Sequence, residues 1–279
     1  MKFGFNLLLW TTFVTEDQLH LLELLKEIGY DGVEIPTGDG PLDHYQWLAP
    51  IIKEHGLEAT SIAMALPDAD PSSPDASIRH AGLDRIKSRI ECAHALGSPV
   101  LGGPLYAAHK TFPKERQGEE HMKRAADVLA SACEEAEQAA VTMCLEPLNR
   151  FEIVLVNTTS QARQIVDMVG HPRLQVHYDT HHAHYEENRH EEAIEIGGDA
   201  IAHVHLSESH RGGLGTGLVD WQAVARGLKT IGYDAWCTVE AFSSKVDGIC
   251  QAANVHRDAF TSRETVVRDA LPFMRDLVK

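Results

Sequence analysis

The chain is poor in several things, and each scarcity narrows what it can do. It has five cysteines in 279 residues (Cys92, Cys133, Cys144, Cys237 and Cys250), an odd number with no C-x-x-C pair. That excludes a fully paired disulfide scaffold. Cys144 and Cys237, set inside apolar runs, read as small core residues in a reducing compartment. Cations are also scarce, with 25 Lys and Arg against 41 Asp and Glu for a net charge of −16. A nucleic-acid partner draws most of its affinity from Lys and Arg, so none is expected. Long apolar runs are missing. The opening MKFGFNLLLWTTF is too short and too soon interrupted to span a membrane, and it lacks a small-residue cleavage site. It is read as the first strand of a cytoplasmic protein without membrane contact. Finally, no linker, low-complexity run or composition break divides the chain. One domain over 1–279 is expected, large enough to bury a substantial core.

What is present is alternation. Eight short apolar runs recur: FGFNLLL (3–9), GVEIP (32–36), EATSIAM (58–64), PVLGG (99–103), AVTMCLE (140–146), LQVHYD (174–179), AIAHVHL (200–206) and AWCTVEAF (235–242). Between them lie segments with apolar residues three and four apart, the helical spacing. TEDQLHLLELLKEIG opens on Thr15, a plausible cap, and closes on Gly29. SIRHAGLDRIKSRIECAHALG and EEHMKRAADVLASACEEAEQAA are longer examples, and a last helix is expected over 261–278. Strand–helix alternation implies parallel pairing through right-handed crossovers, and eight such units at this length fit a closed (β/α)8 TIM barrel of the α/β class. GDGPLD and LPDADPSSPD read as barrel loops, the second long enough to shape a pocket.

Function in such a barrel sits at the carboxyl ends of the strands. There the fifth run ends on Glu146 and the sixth on Asp179, the seventh carries His205, and the eighth carries Glu240. They are separated by 33, 26 and 35 residues, close to one strand–helix unit each. The period of two along a strand also points His177 with Asp179, His203 with His205, and Thr238 with Glu240. A lone acidic strand end is ordinarily a helix cap or a solvated charge. Four ligand-type residues in register on one rim are another matter, because three carboxylates would repel unless something lay between them. A divalent cation is the economical solution, and mostly oxygen donors with one nitrogen suit Mn²⁺, Co²⁺ or Mg²⁺ better than a structural zinc. Most histidines of HYDTHHAHYEENRHEE are expected to face solvent or to sit behind the site, and His203 to be a supporting partner or a core histidine.

These residues carry a family resemblance. LEPLNRFE with a following LVNT, YDTHH, HVHLSESHRGGLGTG and TVEAF, together with GGPLY at 102–106, resemble the ketose 3-epimerases, the D-tagatose and D-psicose 3-epimerase group. That group lies among the xylose isomerase-like sugar isomerase and epimerase barrels. The resemblance spans nearly the whole chain. It implies an isomerase with Glu146, Asp179, His205 and Glu240 as ligands of one divalent metal ion, Mn²⁺ first. Glu146 and Glu240 are also the implied acid/base pair, and Glu152, His182 and Arg211 hold the sugar oxygens beside the apolar Phe242. The implied reaction inverts C3 of a free ketose through a cis-enediolate, and the implied assembly is a homodimer or homotetramer. The alternative with the same metal site is an aldose–ketose or hydroxypyruvate-type isomerisation.

The residues also leave local alternatives open. Arg211 has one in a rim salt bridge to Glu208, and Glu152 has one in a surface pair with Arg150. A DNA-repair nuclease of the endonuclease IV kind needs more metal ligands and a basic face. A sugar-binding barrel without catalysis would leave paired glutamates unused. GGLGTG (212–217) with Arg211 has the makings of a phosphate site, but the resemblance gives that loop to an unphosphorylated sugar. Three stretches depart from the family pattern: AAHKTF after GGPLY, where a bulky aromatic is usual and His109 or Phe112 is expected to compensate; His181, where an aromatic is usual; and the loop MALPDADPSSPD. All three lie where the C4 to C6 end of a sugar would be held.

Overall fold

The computed structural model describes residues 1–38 and 40–279. Eight parallel strands close into a barrel in chain order. They are β1 (Lys2–Asn6), β2 (Gly32–Pro36), β3 (Glu58–Ile62), β4 (Val100–Gly103), β5 (Thr142–Leu145), β6 (Leu174–Asp179), β7 (Ile201–Leu206) and β8 (Trp236–Val239). The α-helices among the described residues are α1 (Leu19–Ile28), α2 (Leu42–Glu54), α3 (Ala76–Leu96), α4 (Glu119–Gln138), α5 (Thr159–Val169), α6 (Thr180–Glu186), α7 (His190–Gly197), α8 (Trp221–Thr230), α9 (Asp247–Ala253) and α10 (Arg263–Leu277). The eight expected strands are all there. Of the loop GDGPLD, Leu42 and Asp43 open α2, and Asp39 lies outside the described residues.

Local chemistry explains where the elements end. FGFNLLL leaves the sheet after Asn6, because the Asn6 side chain accepts the Leu8 N–H at 2.9 Å and turns Leu7–Leu9 into a 3₁₀ turn. The first helix likewise begins with a 3₁₀ turn at Glu16–Gln18, where Gln18 Oε1 accepts the Thr15 N–H at 2.8 Å. It closes on Gly29 in the left-handed conformation at φ 101°. β5 and β8 stop one residue short of their glutamates. Both are still anchored, since Glu146 N–H donates to Gly103 O at 3.1 Å and Glu240 N–H to Leu206 O at 3.0 Å.

Outward-facing strand residues such as Val33, Ile35, Met143, Val204 and Val239 belong to the apolar layer between strands and helices. The inward positions are different. At the lower end Trp236 fills the barrel, and Gly32 makes room for it: an added Cβ there would lie 2.6 Å from the indole. Above it, the β6–β7 pairing sets His177 beside His203 and Asp179 beside His205. The β1–β2 and β2–β3 pairings set Glu34 between Asn6 and Thr60. The barrel interior is thus polar toward its mouth.

The histidines of 177–192 are mostly not solvent-facing, contrary to one of the two expectations for them. His177, His181, His182 and His190 are buried. Tyr178 points outward from β6, and its hydroxyl shares a 2.7 Å hydrogen bond with His190 Nδ1 at the start of α7. Burial, helped by the neighbouring His184, pushes the His190 imidazole down to about 4. The unfolded chain takes up that proton near about 6.5. This group's contribution is therefore complete above about pH 6.5 and is lost as pH falls through the folded value of about 4. Denaturant unfolding across that window is expected to show the parent losing stability faster than His190→Gln. Identical pH profiles would refute it.

Candidate active site

The barrel mouth opens into a cavity of about 300 Å³ whose lining includes Glu146, Glu152, His182, Arg211, Glu240 and Phe242. At its base Glu146, Asp179, His205 and Glu240 each turn one ligand-type atom inward, and these atoms all lie within 4.8 Å of one another. His205 Nδ1 is the hub, 3.4 Å from Glu240 Oε1, 3.7 Å from Asp179 Oδ2 and 3.9 Å from Glu146 Oε1. It is buried without a well-formed hydrogen bond of its own. An imidazole nitrogen facing three buried carboxylates at these distances is the donor set of a metal site, so this group can hold a metal ion. The sequence-derived quartet is brought together by four successive strand ends.

The electrostatics follow from burial and crowding. Burial, together with the Glu240 and Asp179 carboxylates, holds the Glu146 carboxyl well above its ordinary range despite His205 and Arg211. Asp179 goes the other way. Burial would raise it, but Arg211, His182 and His205 hold it well below. The Asp179 side chain also caps α6, accepting the His181 N–H at 2.6 Å and the His182 N–H at 3.1 Å.

Arg211 enters from the loop after β7 with a left-handed backbone, φ 61°. Its Nη1 donates to Glu240 Oε2 at 2.5 Å, Ser207 Oγ at 2.9 Å and Asp179 Oδ2 at 3.2 Å, and its guanidinium stacks 4.6 Å from the Phe242 ring. Its Nη2 lies 2.8 Å from His182 Nε2. The rim salt bridge to Glu208 does not form. Glu208 instead gathers its own loop, accepting N–H groups from Ser209, Gly215 and Val219 and the Trp221 indole. Nor does Glu152 pair with Arg150, which binds Glu186 at 2.8 Å. Glu152 accepts from Asn149 Nδ2 at 2.9 Å and contacts His109 Nε2 at 3.2 Å. Burial raises this carboxyl, but the His109 contact and the charges of His182 and Arg211 outweigh it and leave it well below the usual range.

His109 lines the cavity where the resemblance leads one to expect an aromatic, whereas Phe112 is 53% exposed and stands apart. Met64 and Leu66 of the loop after β3 line the cavity with Leu8, Phe242 and Ile249. No glycine of GGLGTG lines the cavity.

Sequence reasoning passed over Glu34. It is fully buried in β2 and bonded to both His203 and His205, at 2.8 and 2.6 Å. The signal was available: a single charge between Val33 and Ile35 in GVEIP. Asn6, linking Glu34 at 2.9 Å to Glu240 at 3.3 Å, gave no such signal.

A closed (β/α)8 barrel with this acid- and histidine-lined mouth defines an enzyme of the xylose isomerase-like class. The family model described as "Xylose isomerase-like TIM barrel" matches residues 22–277. A ketose 3-epimerase of Arthrobacter globiformis is 32% identical over 282 residues, covering 99% of this chain and 96% of the relative. A solved L-ribulose 3-epimerase superimposes with a TM-score of 0.93 at 28% identity, covering 99% of this chain and 94% of that one. A D-allulose 3-epimerase from Methylomonas sp., solved in complex with D-allulose, gives 0.90 at 26% identity, covering 99% and 96%. The chain belongs to the ketose 3-epimerase family of xylose isomerase-like barrels, as a sugar epimerase/isomerase.

Proposed function

We propose that residues 1–279 act as one barrel domain that inverts C3 of a free ketose, with Glu146 and Glu240 as the acid/base pair. The observation that carries this reading is the placement of the two glutamates. They stand at the ends of β5 and β8, both within 4 Å of His205 Nδ1, and both line the sugar-sized cavity. In that arrangement one carboxylate takes the proton from C3, and the other returns a proton from the opposite face. Glu146 is buried beside the Glu240 and Asp179 carboxylates, which together with burial raise its carboxyl. Glu240 is oriented by Arg211 and Asn6. Glu152 and His182, on the same cavity wall as Arg211, are suited to grip the oxygens on C1 to C3 and keep the chain from rotating as C3 becomes planar. A divalent cation held by Glu146, Asp179, His205 and Glu240, Mn²⁺ by preference over Co²⁺ or Mg²⁺, would supply Lewis acidity that makes the C3 proton easier to remove.

An unphosphorylated substrate is supported by where the cavity's cations are spent. Arg211 is committed to Asp179 and Glu240, and the Arg85 guanidinium donates to the carbonyls of Met64 and Gly38. The apolar lining from Leu8, Ile62, Met64, Leu66 and Ile249 suits the less polar face of a sugar chain. A cytoplasmic setting is supported by five free thiols.

The test is proton exchange. Metal-stripped protein is reloaded with Mn²⁺ in D₂O and offered D-fructose, D-psicose, D-tagatose and L-ribulose, with deuterium followed by NMR. Deuterium at C3 with appearance of the epimer is expected. Deuterium at C1 with an aldose product would replace the epimerase reading with the aldose–ketose one. No metal-dependent exchange on any of the four would sink both.

A further inference from the structure

We propose that Glu34 is a positioning residue for the metal centre, holding His205 so that Nδ1, and not Nε2, faces Glu146, Asp179 and Glu240. The inference rests on the proposed reading of that quartet as a metal site. Glu34 is 0% exposed, and each of its two carboxylate oxygens meets one amide or hydroxyl donor and one imidazole nitrogen. Oε2 meets His205 Nε2 at 2.6 Å and Asn6 Nδ2 at 2.9 Å, while Oε1 meets His203 Nε2 at 2.8 Å and Thr60 Oγ1 at 2.9 Å. A carboxylate can only accept, so a nitrogen that bonds to it must bring the hydrogen. Each imidazole must therefore carry its hydrogen on Nε2.

For His205 the consequence is specific. With Nε2–H fixed on Glu34, the lone pair of a metal-binding imidazole can lie only on Nδ1, the nitrogen turned toward the three carboxylates. Four lone-pair donors then converge on one point. A free imidazole would pass between tautomers and lose part of that convergence. The His203 and Thr60 contacts serve to pin the far oxygen, so that Glu34 cannot swing away. Asn6 adds a second reach, since the same Nδ2 that holds Glu34 lies 3.3 Å from Glu240 Oε1. One buried carboxylate on β2 thereby orients a ligand on β7 and, through Asn6, one after β8. Groups that orient metal-bound histidines in this way typically govern affinity by about 10–100-fold.

Glu34→Gln keeps the shape and removes the symmetry. Its carbonyl can face only one of the two histidines. If that is His205, the charge that strengthens the donor is gone. If the amide nitrogen faces His205, the tautomer itself is reversed. Either way Mn²⁺ affinity is expected to fall at least tenfold, measured by titration calorimetry on metal-stripped protein whose circular dichroism matches the parent. A folded variant that binds Mn²⁺ within threefold of the parent overturns the inference. A parent that binds no Mn²⁺ removes the metal reading itself, and the inference with it.

Should Glu34→Gln not fold, the parent alone decides. In Mg²⁺-loaded protein, long-range ¹H–¹⁵N imidazole spectra are expected to show His205 with a slowly exchanging hydrogen on Nε2. A hydrogen on Nδ1 would overturn the assignment. A merely structural Glu34 would leave both the affinity and the tautomer where they are.

Discussion

Glu240→Gln should slow formation of the C3 epimer by about 10²–10⁴-fold, the contribution expected of a positioned acid or base. The substitution is nearly isosteric, and the Arg211 guanidinium keeps Asp179 and Ser207 as partners, so the mouth is expected to hold its shape. On the proposed mechanism, what is lost is a proton acceptor on one side of C3, together with one of three carboxylates around His205. The two losses separate experimentally. If only metal affinity were affected, saturating Mn²⁺ would restore epimer formation, whereas loss of the acid/base group survives saturation. Sugar affinity at saturating metal should stay close to that of the parent, since Glu152 and His182 are untouched. Epimer formation that remains within tenfold of the parent would take Glu240 out of the acid/base role. The same measurement also separates an enzyme from a barrel that only binds sugar, because a binder has no turnover to lose.

Gly103→Ala carries the largest expected effect on folding. Gly103 closes β4 at φ 117°, where an L side chain is already strained, and a Cβ there would lie 2.1 Å from the Ala63 carbonyl oxygen. That oxygen belongs to backbone and cannot turn away. The chain would have to part β3 from β4, where Ala63 N–H donates to Gly102 O at 3.0 Å, or give up the Gly103 carbonyl that anchors Glu146. A cost of about 3–5 kcal/mol is expected, at the upper end for a single substitution. For a chain this long that amounts to roughly 10 °C in Tm. Gly38→Ala is the matched comparison near the same rim. Its added methyl meets nothing within 4 Å, so a change of at most about 0.5 kcal/mol is expected. Melting curves for the two, side by side, test the steric argument. If Gly103→Ala melts with the parent, the positive φ and the close approach do not constrain the strand end.

The barrel was legible because its signals are local. GVEIP and LQVHYD coincide with β2 and β6 residue for residue, and the period of two correctly turned His177 with Asp179 and His203 with His205. Four ligand-type residues one unit apart needed nothing more than that periodicity and the rule that function sits at strand ends. What was not legible depends on contacts far apart in the chain. Glu34 and His205 are 171 residues apart, and no local pattern pairs them. Arg211 turns inward through a left-handed backbone that its neighbours do not announce, which is why, resemblance aside, a pairing with nearby Glu208 stayed open. His190 and His181 were left between solvent and a place behind the site for a related reason. Histidine is compatible with either surface or core, and only the finished packing of α6 and α7 against the barrel decides.

The polar filling of the barrel has a further consequence. Imidazoles, carboxylates and glycines occupy much of the inward-facing space above Trp236, so the apolar cohesion of the chain comes mainly from the ring between strands and helices, from residues such as Val33, Met143 and Val204. Durability and chemistry are therefore written on opposite faces of the same eight strands. A heat-resistant catalyst can be sought by repacking the outer ring, and a new sugar preference by recutting the Met64–Leu66 and α9 walls. Each effort changes residues that the other leaves alone.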